Sequence, residues 1–172
     1  MDSRKVPAEY LTAGQDYLDA MVSLGLTPHY LGWGWDRASE QWLLVLVTYI
    51  VDAGGPLALN RLLFQAYNAK ATPKEISPFI VRVFSPDIIP SDFWPLGLGS
   101  GASVSRAKKA GGTKDDNWQP GRVQNIQKTF LGVDLELVNS YGPLPARSLR
   151  PKFMDRRKEW EIFRNRVERL AA

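Results

Sequence analysis

Ten consecutive residues, Trp42 to Val51 (WLLVLVTYIV), carry no charge and are apolar or aromatic at nearly every position. Alternate residues of a strand point to opposite faces, so a strand built from this run is apolar on both faces and both must be covered. It falls well short of the about 20 residues that a membrane-spanning helix requires. Upstream lies HYLGWGWD, His29 to Asp36, rich in aromatics with two interposed glycines, and only the polar RASE separates the two segments. Aromatic and β-branched enrichment with so short a polar connection predicts an antiparallel hairpin over 29–51. Period-two geometry then puts His29, Leu31, Trp33 and Trp35 on one face, with Tyr30, Gly32, Gly34 and Asp36 on the other. Pairing Trp35 with Trp42 sets Trp33 opposite Leu44 and Leu31 opposite Leu46. The two glycines then oppose Leu43 and Val45, which leaves room for a helix to approach that side.

The flanking segments supply the helices. Tyr10, Leu11, Gly14, Tyr17, Leu18, Met21 and Val22 recur at three- and four-residue steps, which predicts a helix over 7–24 that starts at Pro7 and stops at Gly25. Gly14 in that stripe allows close approach to a sheet. After the hairpin, Gly54 and Gly55 form a bend and Pro56 opens a second helix, 56–69, with Leu59, Leu62, Leu63, Ala66 and Tyr67 as its buried stripe. FIVRVFSP predicts a strand over 79–85. Strand, crossover helix and strand in one sheet imply a right-handed parallel connection. Val133, Leu135 and Leu137 alternate with Asp134 and Glu136, which predicts a strand, while Val123, Ile126 and Phe130 before Gly132 fit a short helix about as well as a strand; a further strand or second hairpin over 123–141 that extends the sheet is favoured. The last segment, 151–170, is an amphipathic helix with Trp160, Phe163, Val167 and Leu170 as its apolar stripe. The expected fold is α+β in one domain of 172 residues: a mixed sheet in the order α-β-β-α-β, then the further strand or hairpin, then the C-terminal helix. Between these parts, 87–121 is rich in Pro, Gly, Ser and Lys and is read as a long surface excursion, mobile over 99–117, with Phe93, Trp94 and Leu96 as an apolar anchor.

Missing residue types narrow the chemistry. With no cysteine and one histidine, disulfides, thiolate metal sites, a cysteine nucleophile and multi-histidine metal sites are all excluded. No catalytic residue, metal ligand or cofactor is nominated. His29 has the ordinary pKa of a general base, but no neighbour in the sequence that it would activate, and a structural role is favoured. GLGSGAS, Gly97 to Ser103, contains glycines like those of a phosphate loop, but no helix with an apolar stripe follows it and no Gly-Lys-Ser/Thr is present. The order helix, hairpin, helix, strand loosely resembles the core of restriction-endonuclease-like nucleases, with Asp36 ending one strand and Glu40 preceding the next. The second strand, however, holds neither carboxylate nor lysine where that chemistry requires them, and Asp36 and Glu40 are read as polar residues of a hairpin loop.

Charge is divided along the chain. Residues 1–103 carry seven Lys/Arg and ten Asp/Glu, whereas 104–172 carry fifteen and eight. Such asymmetry can report an anionic partner of the C-terminal part, but it is also what a solvated helix and a soluble linker look like, and that plainer reading is favoured. Absence of a leader-like apolar stretch near the N-terminus gives the expectation of a cytoplasmic protein without a membrane span. The function expected is that of a non-catalytic accessory or interaction protein. It would engage a macromolecular partner through aromatic loops and the basic C-terminal region, with Trp118, Arg156, Arg157 and Arg164 as contact residues. One alternative is a nucleic-acid-binding protein using Lys108, Lys109, Lys114, Arg122 and Lys152. A metal-dependent nuclease or other enzyme comes last.

Overall fold

The computed structural model describes residues 5–88, 126–130, 133–141 and 153–172. Helix α1 (Ala8–Ser23) leads into β1 (Tyr30–Asp36) and β2 (Gln41–Val47), then α2 (Ile50–Gly54), α3 (Pro56–Asn68) and β3 (Val81–Phe84). Strands β4 (Ile126–Phe130) and β5 (Val133–Ser140) and helix α4 (Phe153–Ala171) complete the order. The sheet is mixed, in the order β3-β2-β1-β5-β4, so β3 and β4 are its edges among the described residues. The fold is α+β, as the patterning predicts. Residues 89–121 of the expected excursion, including the anchor Phe93, Trp94 and Leu96, lie outside the described residues.

The hairpin forms in the expected register, with Trp35 opposite Trp42, Trp33 opposite Leu44 and Leu31 opposite Leu46. Trp35 and Trp42 meet edge to face, 5.2 Å between centroids, an arrangement that aromatic quadrupoles favour. β2 and β3 are parallel, with Leu44 opposite Val81 and Val47 opposite Phe84. The second hairpin, β4–β5, is antiparallel and joins the sheet through β5 against β1.

Two expectations change. The apolar run does not remain a strand to Val51. β2 ends at Val47, the Thr48 amide donates to the Phe84 carbonyl at 3.0 Å, and the chain turns into α2. Apolar content satisfies either state; the Thr48 amide makes the last bond along the β2–β3 pairing, and β3 ends at Phe84, so the chain beyond has no strand partner on that side. The glycines of β1 do not make room for a helix. A Cβ on Gly32 would strike the Asn139 carbonyl and the Tyr30 hydroxyl, and one on Gly34 would strike Leu135. The neighbour that needs the space is β5, whose pairing with β1 shifts register between Trp33 and Gly34. Small residues commonly mark such irregularities.

All four helices contribute to one core with Leu31, Trp33, Leu44 and Leu46. The opposite face of the sheet carries Tyr30, Leu43, Val45, Val47, Phe84, Leu135 and Leu137, equally buried; Ile80 from the short 3-10 turn before β3 packs against that cluster, and no described α-helix joins it. On the helical face, Trp33 is fully buried and Tyr10 of α1 stacks on it at 5.0 Å. Its indole N–H donates to the Tyr10 carbonyl at 3.0 Å and to the Tyr141 hydroxyl at 2.8 Å. The Tyr141 hydroxyl in turn donates to the Leu11 carbonyl at 2.8 Å. Burial pushes the Tyr141 phenol pKa up, so it stays a neutral donor. That hydroxyl occupies the space where a Cβ on Gly14 would sit. The close approach at Gly14 is therefore to Tyr141, the residue after β5.

Gly14→Ala separates this contact from helix propensity. Propensity alone predicts a gain of about 1 kcal/mol, whereas displacing Tyr141 predicts a net loss of about 1–3 kcal/mol. Urea unfolding gives the sign.

Candidate functional site

The sequence pattern predicts that the C-terminal helix presents an apolar stripe to the body and its arginines to solvent. Trp160, Phe163 and Val167 are buried as expected, but Leu170 is exposed and Arg156 takes the fourth place in the stripe, only 9% exposed. Residues 156, 160, 163 and 167 are spaced by four, three and four, so Arg156 lies in phase with the apolar residues. Its guanidinium reaches Asp52 of α2, Nη1 to Oδ2 at 3.5 Å, and its Cζ stands 4.8 Å from the centre of the Tyr49 ring. Both contacts suit the planar, weakly hydrated cation of arginine better than lysine.

This arginine completes a polar cluster at the carboxyl ends of the parallel strands β2 and β3, a position where open α/β sheets commonly gather ligands. The Ser85 hydroxyl, just beyond β3, donates to Asp52 Oδ2 at 2.9 Å and accepts from the Asp87 amide at 3.2 Å. His29 meets the edge of Tyr49 at 5.5 Å. An acid, a hydroxyl, a cation and an imidazole thus converge on α2, β3, α4 and the start of β1. Their bonding favours a joint between elements over a reactive centre. Ser85 uses its proton on Asp52 and its lone pair on the turn amide, and Asp52 is held by Arg156. Among the described residues no three His, Cys, Asp or Glu side chains group as metal ligands.

Asp36 belongs to the hairpin turn. Its carboxylate accepts from the Ser39 hydroxyl and the Ala38 amide. The Ser39 hydrogen bond first, then the Ala38 and Ser39 amides, hold its carboxyl below the ordinary aspartate range, against an opposing effect of burial. Glu40 closes the same turn with φ of 50°.

The remaining cations of α4 divide by helical position. Arg157 is exposed and pairs with Glu161 at 3.4 Å, as i,i+4 spacing predicts. The equally spaced Arg164 and Glu168 form no ion pair among the described residues. Arg166 donates to the Ser23 carbonyl at 2.7 Å at the end of α1, while Glu159 accepts from the Thr27 amide at 2.9 Å. These two close the turn after α1, where Gly25 has φ of 89° and packs against Ile162. Lys158, Arg164 and Arg169 are exposed and have no ion-pair partner among the described residues.

Of the sequence-nominated contact residues, Arg157 and Arg164 therefore share an outer flank of α4, while Arg156 lies in the core. Trp118, Lys108, Lys109, Lys114, Arg122 and Lys152 lie outside the described residues. Sequence reasoning missed Tyr49 and Ser85, because nothing local marks them. The phase of Arg156 with Trp160 was the available signal.

Adjacent arginines should therefore behave differently. Arg156→Ala removes a buried side chain, its ion pair with the partly exposed Asp52 and its contact with the Tyr49 ring, and costs about 1–2 kcal/mol, whereas Arg157→Ala costs less than about 0.5 kcal/mol. Chemical denaturation of the two variants under one condition checks the difference.

No protein-family model matches the sequence, and neither a curated protein nor a solved structure matches the chain. The functional reading consequently rests on the residues themselves.

Proposed function

We propose that the chain is a non-catalytic interaction protein whose macromolecular partner contacts the outer surface of α4. The observation that carries this reading is how the six cations of the helix are used. Arg156, Arg157 and Arg166 have acceptors within the chain, which leaves Lys158, Arg164 and Arg169 exposed on a helix that Trp160, Phe163 and Val167 anchor to the core. Cations fixed on a docked helix pay less ordering entropy on binding than cations on a loose tail. Exposed Met154 and Ile162 add apolar surface between the charges, a mixture common at protein interfaces. No described helix is long and apolar enough to cross a membrane, and a cytoplasmic setting belongs to this same proposal.

The second reading is nucleic-acid binding, favoured by the same three cations, which suit phosphate contacts. Both readings are testable with one charge-reversed protein carrying Lys158→Glu, Arg164→Glu and Arg169→Glu. Quantitative affinity capture should lose a specific protein at least about tenfold relative to the unmodified chain, at equal abundance and unchanged circular dichroism. Equal capture contradicts the proposal. Strong binding of single- or double-stranded DNA or RNA that weakens steeply with salt and fails in the variant transfers support to the second reading. No binding at low salt removes it.

A further inference from the structure

The sheet face turned away from the helices is closed to solvent. Tyr30, Leu43, Val45, Val47, Leu135 and Leu137 lie on its three central strands and are each 2% exposed or less, although no described α-helix packs there. Side chains that stand from a sheet into water stay partly wet, because neighbours on the same face shield only their flanks. Ile80 packs against the cluster from the turn before β3, at one edge. Other atoms of the same chain must therefore lie over the centre of the face.

We propose that this face is the docking site of the chain's own segment 89–98, which enters it with Phe93, Trp94 and Leu96. Connectivity selects that segment from the four stretches outside the described residues. Residues 1–4 precede Val6, which belongs to the helical core, and 131–132 only join β4 to β5. Residues 142–152 leave Tyr141, whose hydroxyl meets α1, and arrive at α4, so both their ends lie on the helical side. Residues 89–125 alone run from one edge of the sheet to the other, leaving at Ile88 just beyond β3 and returning at Ile126, where β4 starts. The two edges are separated by four strand spacings, roughly 19 Å, and the other face is filled by α1 to α4. Within 89–125 the large apolar side chains are concentrated in IPSDFWPLGL, Ile89 to Leu98, whereas 99–117 offers only one valine and small or charged residues. Phe93 stands five residues beyond Ile88, and an extended chain of that length reaches about 17 Å, enough to bring it over the central strands. Phe84, the last residue of β3, is itself part of the face, so the chain sets out from its rim. This docking leaves the outward cations of α4 unaffected, since that helix packs on the other side of the sheet, but it removes Trp94 from the aromatic side chains that a partner could meet.

The chain has no cysteine, so one introduced thiol reports a single position. Val45→Cys places it at the centre of the face with little change in volume, and Val81→Cys places one on the helical face of the same sheet. In the full-length protein both thiols should react with a maleimide at least about a hundredfold more slowly than in urea, at every protein concentration, because labelling requires local opening. Adding Phe93→Ser, Trp94→Ser and Leu96→Ser should speed labelling at position 45 by about tenfold or more and leave position 81 protected. Fast labelling at position 45 in the otherwise unchanged chain overturns the proposal. So does protection that is lost on dilution, which assigns the cover to a second copy, or protection that survives the three serine substitutions. If those substitutions expose position 81 as well, the fold has been lost and proximity decides instead. A short bis-thiol reagent should then join Val45→Cys to Trp94→Cys within one chain at several times the yield obtained with Val45→Cys and Trp118→Cys, and equal or lower yield overturns the proposal.

Discussion

Three parts of the chain, α1, the hairpin and the residue after β5, converge on the indole of Trp33. A tryptophan can be fully buried at low cost only if its N–H finds an acceptor. Here the acceptors are the Tyr10 carbonyl and the Tyr141 hydroxyl, separated by 131 residues in the chain. The same residues supply stacking through the Tyr10 ring and close approach through Gly14. The helical face of the sheet is thereby fixed at a point far from either edge strand. The placement of α4, and so of its cations, depends on that face being continuous.

Docking of α4 follows a related pattern. Trp160 lies on Gly54 of α2, where any Cβ would strike its ring. Arg156 joins α2 through Asp52, and Glu159 and Arg166 close the end of α1. One helix thus uses its charged residues for internal joints on two flanks and leaves the rest outward. The net charge of the C-terminal part overstates what is available to a partner, because a cation paired with a carboxylate is largely offset and one bonded to a carbonyl is held at an internal joint. Position around the helix, more than the number of arginines, determines which of them a partner can meet.

The hairpin was legible from sequence because its register follows from two constraints that agree: a short polar connection, and period-two matching of large apolar residues from Leu31 to Trp35 with those from Trp42 to Leu46. Pro56, Gly25 and the four-three spacing of the helices were legible for similar local reasons. The end of β2 was not, since Thr48 to Val51 suit strand or helix equally and the end of the neighbouring β3 at Phe84 is set by residues far along the chain. The glycines of β1 announced a close neighbour without saying which, and β5 lies more than 100 residues downstream. Arg156 illustrates the limit for the candidate site. Its charge suggested solvent while its phase with Trp160 placed it inside, and Asp52, which resolves the conflict, is remote in sequence.

The central claim is that Trp33 and Tyr141 act together in joining α1 to the sheet. A double-mutant cycle with Trp33→Phe, Tyr141→Phe and the pair, followed by equilibrium unfolding, measures this directly. The account predicts a coupling free energy of about 1 kcal/mol or more, since either change removes the same hydrogen bond. Additive losses, agreeing within about 0.3 kcal/mol, would contradict it.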